Sequence, residues 1–274
     1  MDDYKVDYHI HTTASDGKMR PTEVVKQAHE LGYDIIAITD HDNVNGVAEA
    51  LIAGEALGIK VVPGIEIAVE TDRGIGLHML GYNIDIENEE LKQFLEKMID
   101  NRKIRNMQLF KTLQDMGYDI TEDDIEVGKN SFIGKPLIAR ALVDKGYIAN
   151  ERQAFGPEIL GSPQCRKVKK VKPSTQEAID IIRQAGGTPV LAHPIQTRWI
   201  GRPGSEEFFE NIEKIIRDLK KQGLAGLECY HPDQNEEQSM RFVSLAEKYH
   251  LHITRGSDFH GSDYITAEET ANYR

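Results

Sequence analysis

The stretch VDYHIH, residues 6–11, is a short apolar run that ends in two histidines two residues apart. Alternate residues of a β-strand face the same side of a sheet, so His9 and His11 are predicted to point into one space. Two imidazoles in one space suit two ligands of a single metal ion, although one such pair alone is weak evidence. The stretch therefore predicts a strand that carries metal ligands.

Four further segments have the same form, an apolar run that ends in His, Asp or Glu: IIAITDHD (35–42), VVPGIE (61–66), VLAHP (190–194) and ITRGSDFH (253–260). Five such runs favour a polynuclear metal enzyme over a set of core histidines. Cys165 and Cys229 are the only cysteines and form no CxxC pair. Their spacing argues against a disulfide framework and against a cysteine-zinc site.

The chain has 274 residues and a net charge of −12, which fits one large domain or one domain with an insertion. An acidic balance disfavours a broad grip on duplex nucleic acid. It does not exclude a small phosphate ester, because bound divalent cations reverse the field locally. The N-terminus has no apolar signal region and no run of 18 apolar residues occurs, so we expect a cytoplasmic protein without a membrane segment.

Short apolar strands alternate with amphipathic helical patterns, which predicts parallel strands covered by helices. We expect strands at 6–9, 35–39, 60–65, 77–82, 189–192, 226–229 and 252–254. The expected helices are 21–31, 47–57, 174–185, 206–222 and 236–250. Seven strands favour a closed or nearly closed α/β barrel. No helical pattern separates the third strand from the fourth, so the barrel should be irregular there.

Residues 87–172 interrupt this alternation. Helical patterns at 89–116, from 121 onward and at 135–144 occupy the segment, and no strong strand pattern occurs in it. We interpret it as a helical insertion, a cap subdomain over the carboxyl face of the barrel. Residues 1–86 and 173–274 would then form the catalytic barrel.

Residues at the carboxyl ends of barrel strands converge on one site. The polar residues expected there are six imidazoles and three carboxylates: His9, His11, Asp16, His41, Glu66, His78, His193, Asp258 and His260. Nine donors exceed the needs of one ion and suit two or three. Imidazole together with carboxylate fits Zn²⁺, Mn²⁺ or Fe²⁺.

Five motifs occur in a specific order: HIHTTASDG (9–17), TDHD (39–42), PGIE (63–66), AHP (192–194) and GSDFHG (256–261). In these motifs the chain resembles the PHP (polymerase and histidinol phosphatase) family of metal-dependent phosphoesterases. Within that family it resembles most the group that cleaves nucleoside 3′,5′-bisphosphates and short RNA from the 5′ end. The segments GKPLIAR (134–140) and GLECYHP (226–232) support that subgroup.

The resemblance implies a distorted (β/α)7 barrel with a two- or three-metal centre. It assigns His9, His11, Glu66 and Asp258 to a first ion. Glu66 would bridge to a second ion held also by His78 and His193, and a third would be held by Asp16, His41 and His260. A carboxylate at position 16, where some members have His, favours Mn²⁺ or Mg²⁺ over Zn²⁺. The expected catalytic residues are His9, His11, Glu66, His193, Asp258 and His260.

Four residues are candidates for substrate contact. Arg140 and Lys135 can share one helix face, which is either a solvated basic face or a phosphate clamp. Lys170 belongs to the basic run at 166–172, and His231 precedes a proline at a strand end.

We interpret the chain as a hydrolase of phosphate monoesters of small nucleotides, with short single-stranded RNA as a further substrate. Two or three divalent ions, foremost Mn²⁺ with Fe²⁺ or Zn²⁺ as alternatives, would lower the pKa of water, and no side-chain nucleophile is needed. One alternative is a phosphatase for histidinol phosphate or another small molecule. Another is a non-catalytic or proofreading module serving a polymerase, which the intact ligand set disfavours.

Overall fold

Seven strands form the framework of the molecule. The structure, a computed structural model, describes residues 4–125 and 133–261. The strands are β1 (Val6–Ile10), β2 (Ile35–Ile38), β3 (Lys60–Glu70), β4 (Gly76–Tyr82), β5 (Thr188–Leu191), β6 (Gly226–Tyr230) and β7 (His252–Arg255).

Helices follow most of the strands, and their ends obey local rules. In the described residues they are α1 (Pro21–Glu30), α2 (Val47–Leu57), α3 (Glu89–Asp115), α4 (Lys135–Asp144), α5 (Glu151–Ala154), α6 (Pro163–Lys167), α7 (Thr175–Gln184), α8 (Glu206–Gln222) and α9 (Glu236–Lys248), with 3-10 turns at Glu122–Asp124 and Pro194–Gln196. Ser174 caps α7 by accepting a hydrogen bond from the amide of Glu177. Gly58 and Gly223 end α2 and α8 in the left-handed region.

The sheet follows chain order, β1 to β7. Strands β1, β2 and β3 are parallel, as are β5, β6 and β7. The amide of His11 donates to the carbonyl of Phe259 over 2.8 Å, which brings the first strand beside the segment that follows the last one. The predicted seven-strand α/β barrel is therefore confirmed as a nearly closed, barrel-like sheet.

Strand β4 runs antiparallel to both β3 and β5. The expectation that every ligand lies at the carboxyl end of its strand is consequently wrong at two positions. Glu66 lies inside β3, which continues to Glu70, and His78 is the third residue of β4. Because β4 is reversed, its beginning lies at the same edge of the sheet as the carboxyl ends of the parallel strands.

Apolar residues alternate between two sides of the sheet. Ile36 and Ile38 belong to the cluster that includes apolar side chains of α1 and α2. Ala37, between them, belongs to a cluster of β2, β3, β4 and β5 residues. This alternation buries both faces of β2, as is usual for a parallel strand covered by helices.

The chain divides into two compact units, Met1–Phe94 with Lys172–Arg274, and Leu95–Val171. The first contains all seven strands. The second is helical and has a core of its own, to which Leu109, Leu113, Ile138 and Leu142 contribute fully buried side chains. Among the described residues, no helix is both long enough and apolar enough to cross a bilayer.

Candidate metal centre

His9 and His11 bring two imidazoles to the carboxyl end of β1. Both side chains are completely buried, and their ring centroids lie 5.1 Å apart. Nε2 of His9 lies 3.5 Å from Oδ1 of Asp258, and Nε2 of His11 lies 3.1 Å from the same oxygen. The two imidazoles therefore share one space, and with Asp258 they offer three donor atoms within 4.8 Å of one another.

The carboxylate of Glu66 lies at the middle of the histidine cluster and is completely buried. Its Oε1 lies 3.3 Å from Nε2 of His9, 2.9 Å from Nδ1 of His78 and 3.0 Å from Nε2 of His193. Its Oε2 lies 3.4 Å from Nε2 of His11 and 2.7 Å from Nδ1 of His41. Since each oxygen faces a different group of imidazoles, the two oxygens of this one carboxylate could each serve a different ion.

A further group of donors surrounds Asp16 in the loop after β1. Oδ1 of Asp16 lies 3.4 Å from Nε2 of His260, and its Oδ2 lies 3.9 Å from Nε2 of His41. His11 completes the group, with Nδ1 at 4.0 Å from Oδ1 of Asp16. All nine donors named from the sequence are thus brought into one connected cluster.

Several buried donor atoms of this cluster have no hydrogen-bond partner among the described residues: Nε2 of His9, Nδ1 and Nε2 of His11, Oδ1 of Asp16 and Oε2 of Glu66. An unsatisfied buried polar atom costs about 1–3 kcal/mol, so five together would be a heavy penalty. Coordination to divalent cations satisfies imidazole nitrogens and carboxylate oxygens at once. The cluster therefore fits resident divalent metal ions.

The electrostatics of the cluster keep its carboxylates ionised. Burial alone would raise the pKa of Glu66, but the adjacent imidazoles of His41, His78 and His9 outweigh burial and hold that pKa well below its usual range. Asp258 behaves in the same way: burial is outweighed by the charge of His9 and by the nearby imidazoles of His11 and His231, and the pKa of Asp258 is strongly lowered. Ionised carboxylates are the form that binds metal.

Burial and neighbouring charges shift the pKa values of the histidines in opposite directions. Burial, reinforced by repulsion from His41, lowers the pKa of His11 to about 4. Burial also opposes charge on His41, but attraction to Glu66 outweighs it and raises the pKa of His41 to about 9. Without metal the cluster thus holds protons on imidazoles beside ionised carboxylates, and a divalent ion would replace such protons.

Glu228 holds the cluster from outside, and the sequence analysis missed it. This completely buried carboxylate accepts from Nδ1 of His9 at 3.1 Å through Oε1 and from the backbone amide of His193 at 2.6 Å through Oε2. The first contact fixes the proton of His9 on Nδ1 and leaves Nε2 free to bind metal. The signal available in the sequence was a lone acid inside the apolar strand GLECY.

Asp40 shapes the loop that carries Asp16. It accepts hydrogen bonds from the amide of Thr12 at 2.7 Å, from Oγ1 of Thr12 at 2.8 Å and from Oγ of Ser15 at 2.6 Å. These hydrogen bonds fix the loop from Thr12 to Ser15.

Backbone strain accompanies two of the donors. His193 has φ 22° and Asp258 has φ 55°, both in the region that L-residues other than glycine seldom adopt. Such conformations cost about 1–3 kcal/mol and cluster at functional sites. The fold therefore tolerates strain in order to aim these two side chains into the cluster.

His231 lies at the edge of the cluster and is buried. Its Nδ1 accepts a hydrogen bond from the amide of Asp233 at 3.1 Å. The neutral ring therefore carries its proton on Nε2, which lies 3.7 Å from Oδ2 of Asp258 and has no hydrogen-bond partner among the described residues. Of the four substrate-contact candidates, His231 is the one in the same unit as the donors.

The other three candidates lie in the helical unit. Arg140 is exposed on α4, and its Nε lies 3.2 Å from Oε1 of Glu151. Lys135 is half-buried at the start of α4, and Lys170 is half-buried beyond α6. Their contact with substrate stays a prediction.

A group of cations around Lys135 was missed by the sequence analysis. Arg105 on α3 is only 5% exposed, and its Nε has no hydrogen-bond partner among residues 4–125 and 133–261. Burial, together with repulsion from the neighbouring Arg102, lowers the pKa of Arg105 to about 10. Burial, with repulsion from Arg105 and Arg166, lowers the pKa of Lys135 as well. The positive charges of Arg102, Arg105, Lys135 and Arg166 therefore lie close enough together to interact.

The barrel-like sheet and its buried imidazole–carboxylate cluster define a metal-dependent hydrolase. The family follows from sequence: the family model for the PHP domain matches residues 7–151. The chain belongs to the PHP domain family of metal-dependent phosphoesterases, as the motifs in the sequence predicted.

Relatives of known name span nearly the whole chain. A 5′-3′ exoribonuclease of Haemophilus influenzae is 31% identical over 93% of this chain and 90% of its own length. A phosphoribosyl 1,2-cyclic phosphate 1,2-diphosphodiesterase of Eggerthella lenta is 30% identical, with 93% and 94% covered. A 3′,5′-nucleoside bisphosphate phosphatase of Chromobacterium violaceum is 30% identical, with 93% and 87% covered.

The fold agrees with these relatives. A crystal structure of a metal-dependent phosphoesterase from Bifidobacterium adolescentis superposes with a TM-score of 0.80 at 31% identity, covering 97% of this chain and 91% of that one. The family match and the names of these relatives agree on one class of reaction, and the chain is a metal-dependent phosphoester hydrolase.

Proposed function

We propose that the protein removes the 3′-phosphate from a nucleoside 3′,5′-bisphosphate and that it also degrades short single-stranded RNA from its 5′ end. Two of the named relatives carry out reactions of these kinds. The observation that carries the proposal is the buried carboxylate of Glu66 among five imidazoles, with donor atoms that lack other partners.

Bound divalent ions supply Lewis acidity, which lowers the pKa of water and neutralises charge on phosphate oxygens. The groups of converging donors support three ion positions. His9, His11 and Asp258 converge on one of them, together with Glu66. Glu66, His78 and His193, whose donor atoms lie 2.9–3.2 Å from one another, would hold a second ion. Asp16, His41 and His260, which converge together with His11, would hold a third. We propose Mn²⁺ as the native ion, because the carboxylate of Asp16 adds a hard oxygen ligand to the set.

The protein's own groups orient the reaction. Glu228 keeps the proton of His9 on Nδ1, and the strained backbone of His193 aims that imidazole at Glu66. The Nε2–H of His231 is a donor for an oxygen of the incoming phosphate. Because no side chain in the cluster is a serine, threonine or cysteine nucleophile, we propose direct attack by water on phosphorus.

A nucleotide with two phosphates needs protein cations for the phosphate that is not cleaved. We propose that Arg105 and Lys135 bind it, supported by Arg166 and by the N-terminus of α4. Nδ2 of Asn106 donates to the carbonyl of Ile133 over 3.0 Å, which brings α3 close to that N-terminus. A helix N-terminus favours anions, and its cap Gly134 has no side chain that could satisfy the amides.

A phosphate-release assay with a panel of esters tests the proposal. The purified protein with Mn²⁺ should release phosphate from a nucleoside 3′,5′-bisphosphate faster than from histidinol phosphate or from a nucleoside 5′-monophosphate. Preference for histidinol phosphate would make the chain a small-molecule phosphatase of the alternative kind. If the fully metal-loaded protein releases no phosphate from any ester, the chain is a non-catalytic module.

A further inference from the structure

Trp199 is the only tryptophan of the chain, and its side chain is 92% exposed. Large aromatic side chains gain stability from burial, so an indole held in water contributes nothing to the fold. The exposed position of this indole therefore needs an explanation other than packing in the core.

The backbone of Trp199 is also strained. Its φ is 69°, in the left-handed region where a glycine would sit without a steric penalty. A bulky residue there is uncommon, and it points to a function for the side chain. The turn itself therefore does not require tryptophan, and the indole has another use.

The loop around Trp199 is anchored on both sides. Ile200 is 5% exposed, and its carbonyl accepts from Nδ2 of Asn211 on α8 at 2.9 Å. Gly201 lies so close to the amide of Phe208 that a Cβ at position 201 would approach it to 2.9 Å. Trp199 is thus presented outward from a fixed support.

The same loop begins at the metal centre. It starts at His193, continues through the 3-10 turn Pro194–Gln196, and there Nε2 of Gln196 donates to Oδ2 of Asp233 over 2.9 Å. Asp233 in turn donates its amide to His231. Trp199 is the sixth residue after His193, so at most about 22 Å of extended chain separates their Cα atoms. The loop that presents the indole is therefore continuous with the metal centre.

Cations flank the indole in an otherwise acidic protein. Arg198 and Arg202 are both exposed, and neither forms an ion pair with a residue that the structure describes. The nearest acid in sequence, Glu206, is held by Arg241 through two contacts of 2.6 and 2.9 Å. The arginines are thus available to an anionic partner.

We propose that Trp199 is a stacking platform for one base of a single-stranded RNA, and that Arg198 and Arg202 bind the phosphates next to that base. An aromatic face beside unpaired cations is the arrangement with which proteins hold single strands irrespective of sequence. The inference rests on the proposed function for the class of ligand, and it adds a binding site outside the metal centre.

Intrinsic fluorescence tests the inference directly, because all tryptophan emission comes from Trp199. A six-nucleotide RNA with phosphorothioate linkages, which resist cleavage, is titrated into the metal-loaded protein. The emission should be quenched in a saturable way. A hexamer of equal charge that lacks bases should quench little, since it has nothing to stack.

Anisotropy of a labelled hexamer then measures affinity in the variants. Trp199→Ala should weaken binding by about 5- to 150-fold, and Trp199→Phe by less, since a ring remains. Arg198→Ala and Arg202→Ala should each reduce the slope of log K against log salt by about 0.7. Arg217→Ala, an exposed arginine on α8 that lies 3.9 Å from Asp218, is the matched control and should change neither quantity.

Thermal midpoint and metal content establish that the variants are folded. Equal hexamer affinity in the wild type and Trp199→Ala overturns the inference while leaving the phosphatase activity in place. Equal quenching by the baseless hexamer shows charge attraction without stacking and overturns it as well. An emission shift that depends on protein concentration, without RNA, would place a second copy of the chain on the indole instead.

Discussion

Glu228→Gln should disable the metal centre without disturbing its shape. The amide is isosteric with the carboxylate, but only one of its two ends accepts hydrogen bonds. That oxygen must face the backbone amide of His193, because a backbone N–H can only donate and lies 2.6 Å away. The NH2 group of the glutamine then replaces Oε1, 3.1 Å from Nδ1 of His9, and lies closer to that nitrogen than the remaining oxygen, whose position is 3.3 Å away.

The consequence is a change of tautomer. A donor facing Nδ1 makes that nitrogen an acceptor, so the proton of neutral His9 moves to Nε2, the atom that faces Glu66 and Asp258. A protonated nitrogen cannot bind metal. Replacing an outer partner of a metal-binding histidine usually costs about 10- to 100-fold in metal affinity, and we expect the upper end here. In the proposed assignment His9 binds the first ion, together with His11 and Asp258, so the affinity for that ion should fall.

Competition with a metal-sensitive dye measures the affinity for Mn²⁺, and phosphate release gives kcat/KM in parallel. Glu213→Gln serves as the control: this glutamate on α8 binds Lys248 and the hydroxyl of Tyr249 within the same unit. It should leave metal affinity unchanged and alter stability by less than about 1 kcal/mol. Wild-type metal affinity in a folded Glu228→Gln protein would refute the tautomer argument.

Three further changes test other parts of the structure. Gly256→Ala should lower both metal content and thermal midpoint, measured by elemental analysis and calorimetry, because the added Cβ would collide with Cβ of His9. Wild-type protein purified without chelator should contain at least two divalent ions per chain, and Glu66→Ala should lose more of them than any other single ligand change, because one carboxylate serves two ions. Arg105→Met should lower kcat/KM for a nucleoside 3′,5′-bisphosphate by about 10- to 150-fold but hardly affect p-nitrophenyl phosphate, which has no second phosphate. Arg140→Ala tests whether the exposed arginine that pairs with Glu151 also binds the second phosphate, as its place among the candidates from the sequence predicts. For either variant, equal losses of kcat/KM on both substrates would indicate damaged metal geometry.

The strands and most helices could be predicted because their signals are local. An apolar run, a terminal glycine or a capping serine can be identified within a few residues, as at α2, α7 and α8. The donors could be found for the same reason, since they follow or lie within those runs. The direction of β4 had a signal that the sequence analysis did not use: the connection from β3 contains no helix, and a parallel crossover needs about a dozen residues or more. His78 was therefore named correctly as a member of the cluster, but its place near the start of its strand was explained only by the reversed direction of β4.

The burial of charged side chains could not be predicted from the sequence. Glu228 and His9 are 219 residues apart in sequence, and nothing local to either one predicts their contact. Arg105 lies in a long helix of mixed charge, where a basic residue is ordinarily solvated. Its burial depends on how α3 packs within the helical unit, which periodicity alone does not determine. The roles of both residues could be identified only from the three-dimensional structure, because their chemistry depends on neighbours that are distant in sequence.

An acidic protein that handles polyanions must concentrate its positive charge. The chain carries 33 basic and 45 acidic side chains, and the cations that we propose for phosphate binding lie in two local groups, one around Arg105 and Lys135 and one in the loop with Arg198 and Arg202. At physiological ionic strength the Debye length is about 8 Å, so the net charge of −12 is screened while cations in contact with a phosphate are not. Metal ions in the cluster would reverse the sign of the field in the same local way. Net charge therefore disfavours binding along a broad face of duplex nucleic acid and still permits tight binding of a short strand at a few contacts.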